Sequence, residues 1–312
     1  MSVNADRIAR PSGTFVPVTA HGPLEPLWVA PASEDGPATA TAGDARPPPP
    51  DGLWVVHGTF SMSPAGTFPR TMTVVRHSGG QVAIVNSLRM DEAGEAALRA
   101  LGNVTAVVRL GSFHGVDDDY YVRMFGAVAY ALPGSPLPPA LPVPPVALVA
   151  GLADAPIPGA SVFVFAVTKA EAALHLPAHG PAGSGGTVLF CDAVINMGPR
   201  PAHLGWLMAA LFRWMGFTGL RPAPLWYKFA KQQGGLDDAF MVAEYRRLLR
   251  EFPAFGAVVC AHGNVIPTGG HARIEAMAQG LLPPSWASCV GGDEDNVAAV
   301  VAAGTWCMRG RE

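Results

Sequence analysis

The stretch Val104-Thr105-Ala106-Val107-Val108-Arg109-Leu110-Gly111-Ser112-Phe113-His114-Gly115-Val116-Asp117-Asp118 carries the decisive pattern of this chain. Residues 104–110 are largely apolar, as expected of a strand covered on both faces. Gly111 breaks the run, and a loop follows that gathers Ser112, His114, Asp117 and Asp118. Asp118 to Phe125 then reads as a short helix. A buried strand running into a polar loop is where open α/β sheets place ligands.

Outward from this stretch the rhythm is consistent. Upstream, Asp91 to Leu101 reads as a helix with an acidic first turn and Gly102 as its stop. Before it come three strand-like runs, Leu53 to Phe60, Thr71 to Arg76 and Gln81 to Asn86. The last two flank His77-Ser78-Gly79-Gly80, a hairpin turn. Downstream, Ala127 to Ala131, Ser161 to Val167, Glu171 to Pro177, Thr187 to Cys191 and Ala257 to Cys260 read as strands. Pro201 to Met215, Leu236 to Phe252 and His271 to Gln279 read as helices. Hairpins come first and β-α-β alternation follows. The expectation is an α/β fold with mixed sheets, two sheets sandwiched between helices.

Composition narrows the function classes. The 312 residues are 49% hydrophobic and 14% charged, with a net charge of −3. No basic excess exists to neutralise phosphates, so a nucleic-acid partner is not expected. The best candidate for an apolar span, Leu204 to Phe217, is too short to cross a bilayer and carries Arg213. Met1 to Arg10 lacks the apolar stretch of a signal peptide. Cys191, Cys260, Cys289 and Cys307 are dispersed with no CxxC pair, which suits reduced thiols and a cytoplasmic location.

Glycine and proline together exceed a fifth of the residues but are unevenly placed. Residues 1–50 hold ten of the 31 prolines, ending in Pro47-Pro48-Pro49-Pro50, and show no helical or strand period. They read as a flexible Pro/Ala-rich N-terminal arm outside the fold, with the folded domain at 51–286 and a C-terminal tail at 287–312. The one exception in the arm is Phe15-Val16-Pro17-Val18, which could add itself to a sheet edge. Pro133 to Pro145 reads as an irregular connector.

Three loops offer chemistry. His114, Asp117 and Asp118 follow one strand, Asp192 follows the run 187–191, and His262 follows the run 257–260. Two imidazoles with two or three carboxylates make the mixed nitrogen and oxygen set that a divalent metal prefers. Each has a plainer alternative. Asp117 to Asp119 could simply be an acidic helix start, and Asp192 could cap a turn. His175, inside an apolar strand, reads as a hydrogen-bonded core histidine. His57 and His77 read as structural or solvent-facing, and His179 reads as exposed.

These residues, in this order of elements, resemble the metallo-β-lactamase-fold superfamily. Its strand runs into a His-x-His-x-Asp-His loop, which the segment 104–118 resembles. The strand into Asp192 is similar to its Gly-Asp element, and Ala261-His262-Gly263 is similar to its final metal histidine. The nearest resemblance is to degenerate, DUF4336-type members, over roughly residues 52–285. It implies a metallo-β-lactamase-like αββα sandwich and a divalent metal, zinc or iron, held by His114, Asp118, Asp192 and His262. It further implies a hydrolase cleaving an ester, lactone, thioester or phosphoester of a small-molecule substrate by metal-activated water, with Asp117 or Asp118 as ligand or general base. The departures are as informative. With His114 as the motif's second histidine, Ser112, Val116 and Asp117 stand at the flanking ligand positions, and Thr168 lies nearest the middle histidine's place, with His175 or His179 as possible substitutes. That pattern keeps a second reading open, a non-catalytic binding or interaction module with a decayed metal site.

Residues 204–229 form an aromatic-rich insert. Leu204, Trp206, Leu207, Met208, Leu211, Phe212, Trp214 and Met215 are apolar nearly all round a helix, which reads as a helix buried against the sheet. A lid, a homodimer patch or a peripheral membrane contact is the alternative.

Overall fold

The computed structural model describes residues 7–9, 15–17, 19–30, 51–62, 66–135, 141, 143–150, 156–167, 170–199, 201, 204–234 and 236–282. Fifteen strands and six helices follow in chain order: β1 Arg7–Ala9, β2 Phe15–Pro17, β3 Glu25–Val29, β4 Gly52–Met62, β5 Gly66–His77, β6 Gln81–Val85, α1 Glu92–Leu101, β7 Asn103–Arg109, α2 Asp118–Phe125, β8 Val128–Ala131 and β9 Val146–Ala147. The second half adds β10 Ser161–Val164, β11 Ala172–Leu176, β12 Thr187–Phe190, β13 Ile195–Met197, α3 Trp206–Trp214, β14 Gly219–Arg221, α4 Pro224–Gly234, α5 Asp238–Glu251, β15 Ala257–Cys260 and α6 Gly270–Gln279.

Local chemistry sets the boundaries. Asp91 caps α1 by accepting from the Gly94 N–H at 2.7 Å, and Asp237 caps α5 by accepting from Phe240 N–H at 2.8 Å. The β5–β6 hairpin turns through Gly79 and Gly80, both at positive φ.

Two mixed sheets result. The larger has the order β3-β4-β5-β6-β7-β8-β9, antiparallel as far as β6 and parallel beyond it. The smaller has the order β10-β11-β12-β15, with only β12 and β15 parallel. Three apolar cores separate four layers. Leu53, Val75 and Val85 of the larger sheet meet Leu174, Leu189 and Val259 of the smaller. On the larger sheet's other face, Val74, Ile84 and Val107 pack with Leu98 of α1 and Tyr121 of α2. On the smaller sheet's other face, Phe163 and Val188 pack with Tyr245 and Leu248 of α5 and Ile274 of α6. Each fully buried Leu, Val, Ile or Phe contributes about 1.5–3 kcal/mol, so these cores dominate stability. The architecture is an αββα sandwich with mixed sheets, as the order of sequence elements led one to expect.

Two expectations need correction. Residues 19–30 do not lie outside the domain. β3 pairs antiparallel with β4 as the edge of the larger sheet, and Thr19 exchanges backbone bonds with Arg89 and Thr59. Edge pairing is a backbone interaction, and an edge tolerates Pro26 beside the register shift there. Phe15–Pro17 pairs with Arg7–Ala9 rather than with either large sheet. The proline run 47–50 and the tail 287–312 lie outside the described residues. The helix at 201–215 is shorter than expected and is not buried all round. Only Ala209 and Phe212 of α3 are buried, while Trp206 and Trp214 are each 83% exposed. Among the described residues no helix is long and apolar enough to cross a membrane.

Candidate metal centre

β12 and β15 run parallel with Phe190 opposite Cys260. Asp192 and His262 each stand two residues past that pair, so the two loops deliver them side by side. His114 arrives from the other sheet, on the turn after β7. That turn is tied across the sandwich by Ser112 N–H to Ala170 O at 3.1 Å and Ala172 N–H to Leu110 O at 2.8 Å. Two glycines make the approach possible. A Cβ at Gly115, φ 97°, would lie 2.0 Å from Arg109 Nε, and one at Gly263, φ 97°, would lie 2.1 Å from Asn196 O.

His114, Asp192 and His262 thereby converge. His114 Nε2 lies 3.1 Å from His262 Nε2 and 3.6 Å from Asp192 Oδ2, and His262 Nε2 lies 3.3 Å from Asp192 Oδ1. All three residues are less than a tenth exposed. For ligand bonds of about 2.0–2.2 Å in a tetrahedron, neighbouring donors stand about 3.3–3.6 Å apart. The contacts, two of them through different Asp192 oxygens, lie at or just below that spacing. One ligand atom from each residue lies within 4.8 Å of the others, which gathers two imidazoles and a carboxylate as a candidate site for one divalent ion.

The groups behind the two histidines differ. His262 Nδ1 donates to the Pro69 carbonyl at 2.6 Å, which leaves the Nε2 lone pair facing the cluster. His114 Nδ1 lies 3.1 Å from Arg70 Nη2. A guanidinium only donates, so Nδ1 accepts and the hydrogen of the neutral ring sits on Nε2, inside the cluster. Burial, and then Arg70 beside it, push the His114 pKa down to about 4. Burial opposes the charge on Asp192, but the neighbouring histidines outweigh it and hold the carboxyl well below its usual range. Near neutral pH the cluster is thus an anionic carboxylate with a neutral His114.

Asp118, expected as a metal ligand or catalytic group, lies outside this group. Its Oδ2 accepts from Arg109 Nε at 2.9 Å and Nη2 at 2.8 Å, and its Oδ1 accepts from Ser87 Oγ at 2.6 Å. Both oxygens are spent on holding the loop. Asp117 is also buried and elsewhere engaged, accepting from Thr19 Oγ1 at 3.0 Å, with burial raising its pKa. Asp119 pairs with Arg123. Neither of the two possible substitutes, His175 and His179, joins the cluster. His175 Nε2 bonds Gly185 O at 2.7 Å, and His179, buried rather than exposed, bonds Arg76 O at 3.2 Å against the Trp28 ring. Ser112 is buried, Val116 is exposed, and Thr168 lies outside the described residues.

Arg70, Pro69 and Glu171 were missed by sequence reasoning. Arg70 interrupts the apolar alternation of β5, and Glu171 opens an apolar strand, which are faint signals. Glu171 Oε1 accepts from Ala193 N–H at 2.8 Å, and Oε2 is buried without a partner. Burial, then the charge of Asp192, raise its pKa well above the usual carboxylate range. Glu171, Cys191 and Asp192 offer ligand atoms close to one another as well. Burial raises the Cys191 and Cys260 thiols, so neither is a ready nucleophile.

No protein-family model and no curated protein sequence matches the chain. Solved structures that it is similar to are metallo-β-lactamases. One from Erythrobacter litoralis, with β-mercaptoethanol in its active site, is 16% identical at a TM-score of 0.47, covering 73% of this chain and 93% of that one. One from Pseudomonas aeruginosa in a mono-zinc form is 15% identical at a TM-score of 0.45, covering 74% and 93%. One from Hirschia baltica is 11% identical at 0.45, covering 82% and 98%.

Proposed function

We propose that this chain is a metal-dependent hydrolase in which His114, Asp192 and His262 hold one divalent ion. The convergence of the two imidazoles, 3.1 Å apart at Nε2, on Asp192, whose Oδ1 lies 3.3 Å from His262 Nε2 and whose Oδ2 lies 3.6 Å from His114 Nε2, carries the reading. An ion bound there supplies a Lewis acid and an acidified water for opening an ester, lactone, thioester or phosphoester. Zinc or iron suits two imidazoles and a carboxylate.

This chain's own residues do the rest. Pro69 O orients His262 through Nδ1. Asp192, anionic at neutral pH, offers one oxygen as a ligand and the other to hold a proton. Arg70 places a fixed positive charge behind His114, on the Nδ1 side away from the cluster, where it orients the ring rather than meeting a substrate. Arg109 and Ser87 fix Asp118 and with it the start of α2, so Asp118 positions the His114 loop rather than reacting.

The same Arg70 contact favours a second reading, the decayed site. A metal on His114 Nε2 needs the ring hydrogen on Nδ1, and a donor occupies that side. In this reading Arg70 closes the cluster and the fold serves binding. The test is a panel of chromogenic esters, lactones, thioesters and phosphoesters, run with added zinc or iron and with chelator. Turnover that chelator removes and that His262→Ala lacks supports the hydrolase. No metal-dependent turnover on any substrate class favours the closed site.

A further inference from the structure

We propose that the outer face of α3, with the cationic cavity beside it, is a docking surface for an anionic lipid bilayer. This stands apart from the metal site and holds whether or not that site is catalytic.

The inner side of α3 is fully used. Phe212 packs on Phe68 at 4.8 Å and on Phe217 at 5.0 Å. The outer side is also apolar, which the domain's own packing does not explain. Trp206 and Trp214 are each 83% exposed and Leu207 is 64% exposed, with Leu211 and Met215 beside them. Exposed single apolar residues are ordinary, but five on one short helix make a patch. Tryptophan at both ends of such a face suits the interfacial layer of a membrane, where its ring is apolar and its N–H stays wet.

Charge selects the occupant. Between Asp192 and Asp237 the sequence contains no Asp or Glu, yet it holds Arg200, Arg213, Arg221, Lys228 and Lys231 in a chain of net charge −3. Arg221, Lys228 and Lys231 line a cavity of about 380 Å³ with Tyr227, Pro222 and Leu281. Lys231 is committed to Asp238. Arg213, Arg221 and Lys228 are exposed and have no ion-pair partner among the described residues. A two-fold contact centred on this cluster would set its uncompensated charges against themselves. An anionic bilayer instead meets both halves of the surface, with headgroup phosphates at the cations and acyl chains at the tryptophans.

The elements behind this face lead to the metal centre. Phe68, under α3, is next to Pro69 and Arg70, and Ala223 N–H at the start of α4 donates to Asp192 O at 2.9 Å. Phe229 of α4 faces Phe113 of the His114 loop at 6.1 Å. Docking would therefore bring the bilayer to the elements that hold the site.

The test is flotation of the full chain with vesicles, backed by fluorescence quenching from brominated acyl chains. Affinity is expected to rise roughly a hundredfold when about a third of the phosphatidylcholine is replaced by phosphatidylserine, and to fall at high salt. Trp206→Ser/Trp214→Ser should abolish quenching, and Arg221→Gln/Lys228→Gln should remove the preference for phosphatidylserine. All four residues lie outside the buried cores, so circular dichroism should be unchanged. Equal binding to both vesicle types, or binding untouched by the variants, overturns the proposal. So does an absence of vesicle binding, whether the face is covered by the chain's own ends or by a dimer that the tryptophan variant dissolves.

Discussion

Arg70 Nη2 sits 3.1 Å behind His114 Nδ1, where a metal-binding histidine ordinarily finds an acceptor. A donor in that place puts the ring hydrogen on Nε2, the atom aimed at His262 and Asp192. Metal loading and the Arg70 contact therefore compete for one tautomer of one ring.

Replacing the donor with an acceptor should relieve that competition. In Arg70→Gln the side-chain carbonyl can take the Nδ1 hydrogen, and zinc affinity should rise by roughly 10–100-fold. Competition titration against a chromophoric chelator measures it. An unchanged or weaker affinity would show that the tautomer is not what limits binding.

Asp118 separates a ligand from a brace. Asp118→Asn breaks a buried pair with Arg109 and should cost about 3 kcal/mol in urea unfolding. Metal content per folded chain should stay as in the wild type. Loss of metal without loss of stability would return Asp118 to the ligand set.

The chelated protein should lose stability in acid partly through His114. Its folded pKa, about 4, lies below the unfolded value of 6.5, so the folded state prefers the neutral ring. That contribution is intact above pH 6.5 and is lost as pH falls from 6.5 towards 4. Relative to His114→Gln, the wild type should lose about 2 kcal/mol more between pH 7 and pH 4.5. Parallel pH profiles for the two proteins would contradict this.

Thr19 tests the boundary of the fold. Its hydroxyl donates to buried Asp117 at 3.0 Å and accepts from Arg89 N–H at 2.8 Å. Thr19→Val keeps the shape and strands both partners, so it should cost about 1–3 kcal/mol. Removal of residues 1–50, which also deletes β3, should cost more. A truncated chain with unchanged melting would place the arm outside the domain after all.

How far the sequence foretold this structure depends on where each partner lies. The layers were legible because alternating and continuous apolar runs report burial directly, as in residues 104–110 and 187–191. Asp192 and His262 were legible because both stand just past strand ends. The fate of Asp118 was not, since a loop carboxylate serves equally as ligand or as the partner of Arg109, and only the folded loop decides. Arg70 left little trace because its partner is 44 residues away in another element. β3 was hidden because edge pairing uses backbone groups, which no side-chain pattern records. The outer face of α3 misled because an all-apolar helix usually means burial on every side.

The central claim is that His114, Asp192 and His262 share one ion, and metal analysis of purified protein tests it most directly. After incubation with zinc or iron and removal of the excess, the wild type should retain close to one ion per chain. His114→Ala/His262→Ala, checked for native folding, should retain almost none. Equal metal in the two proteins, whether near zero or near one, would contradict the claim.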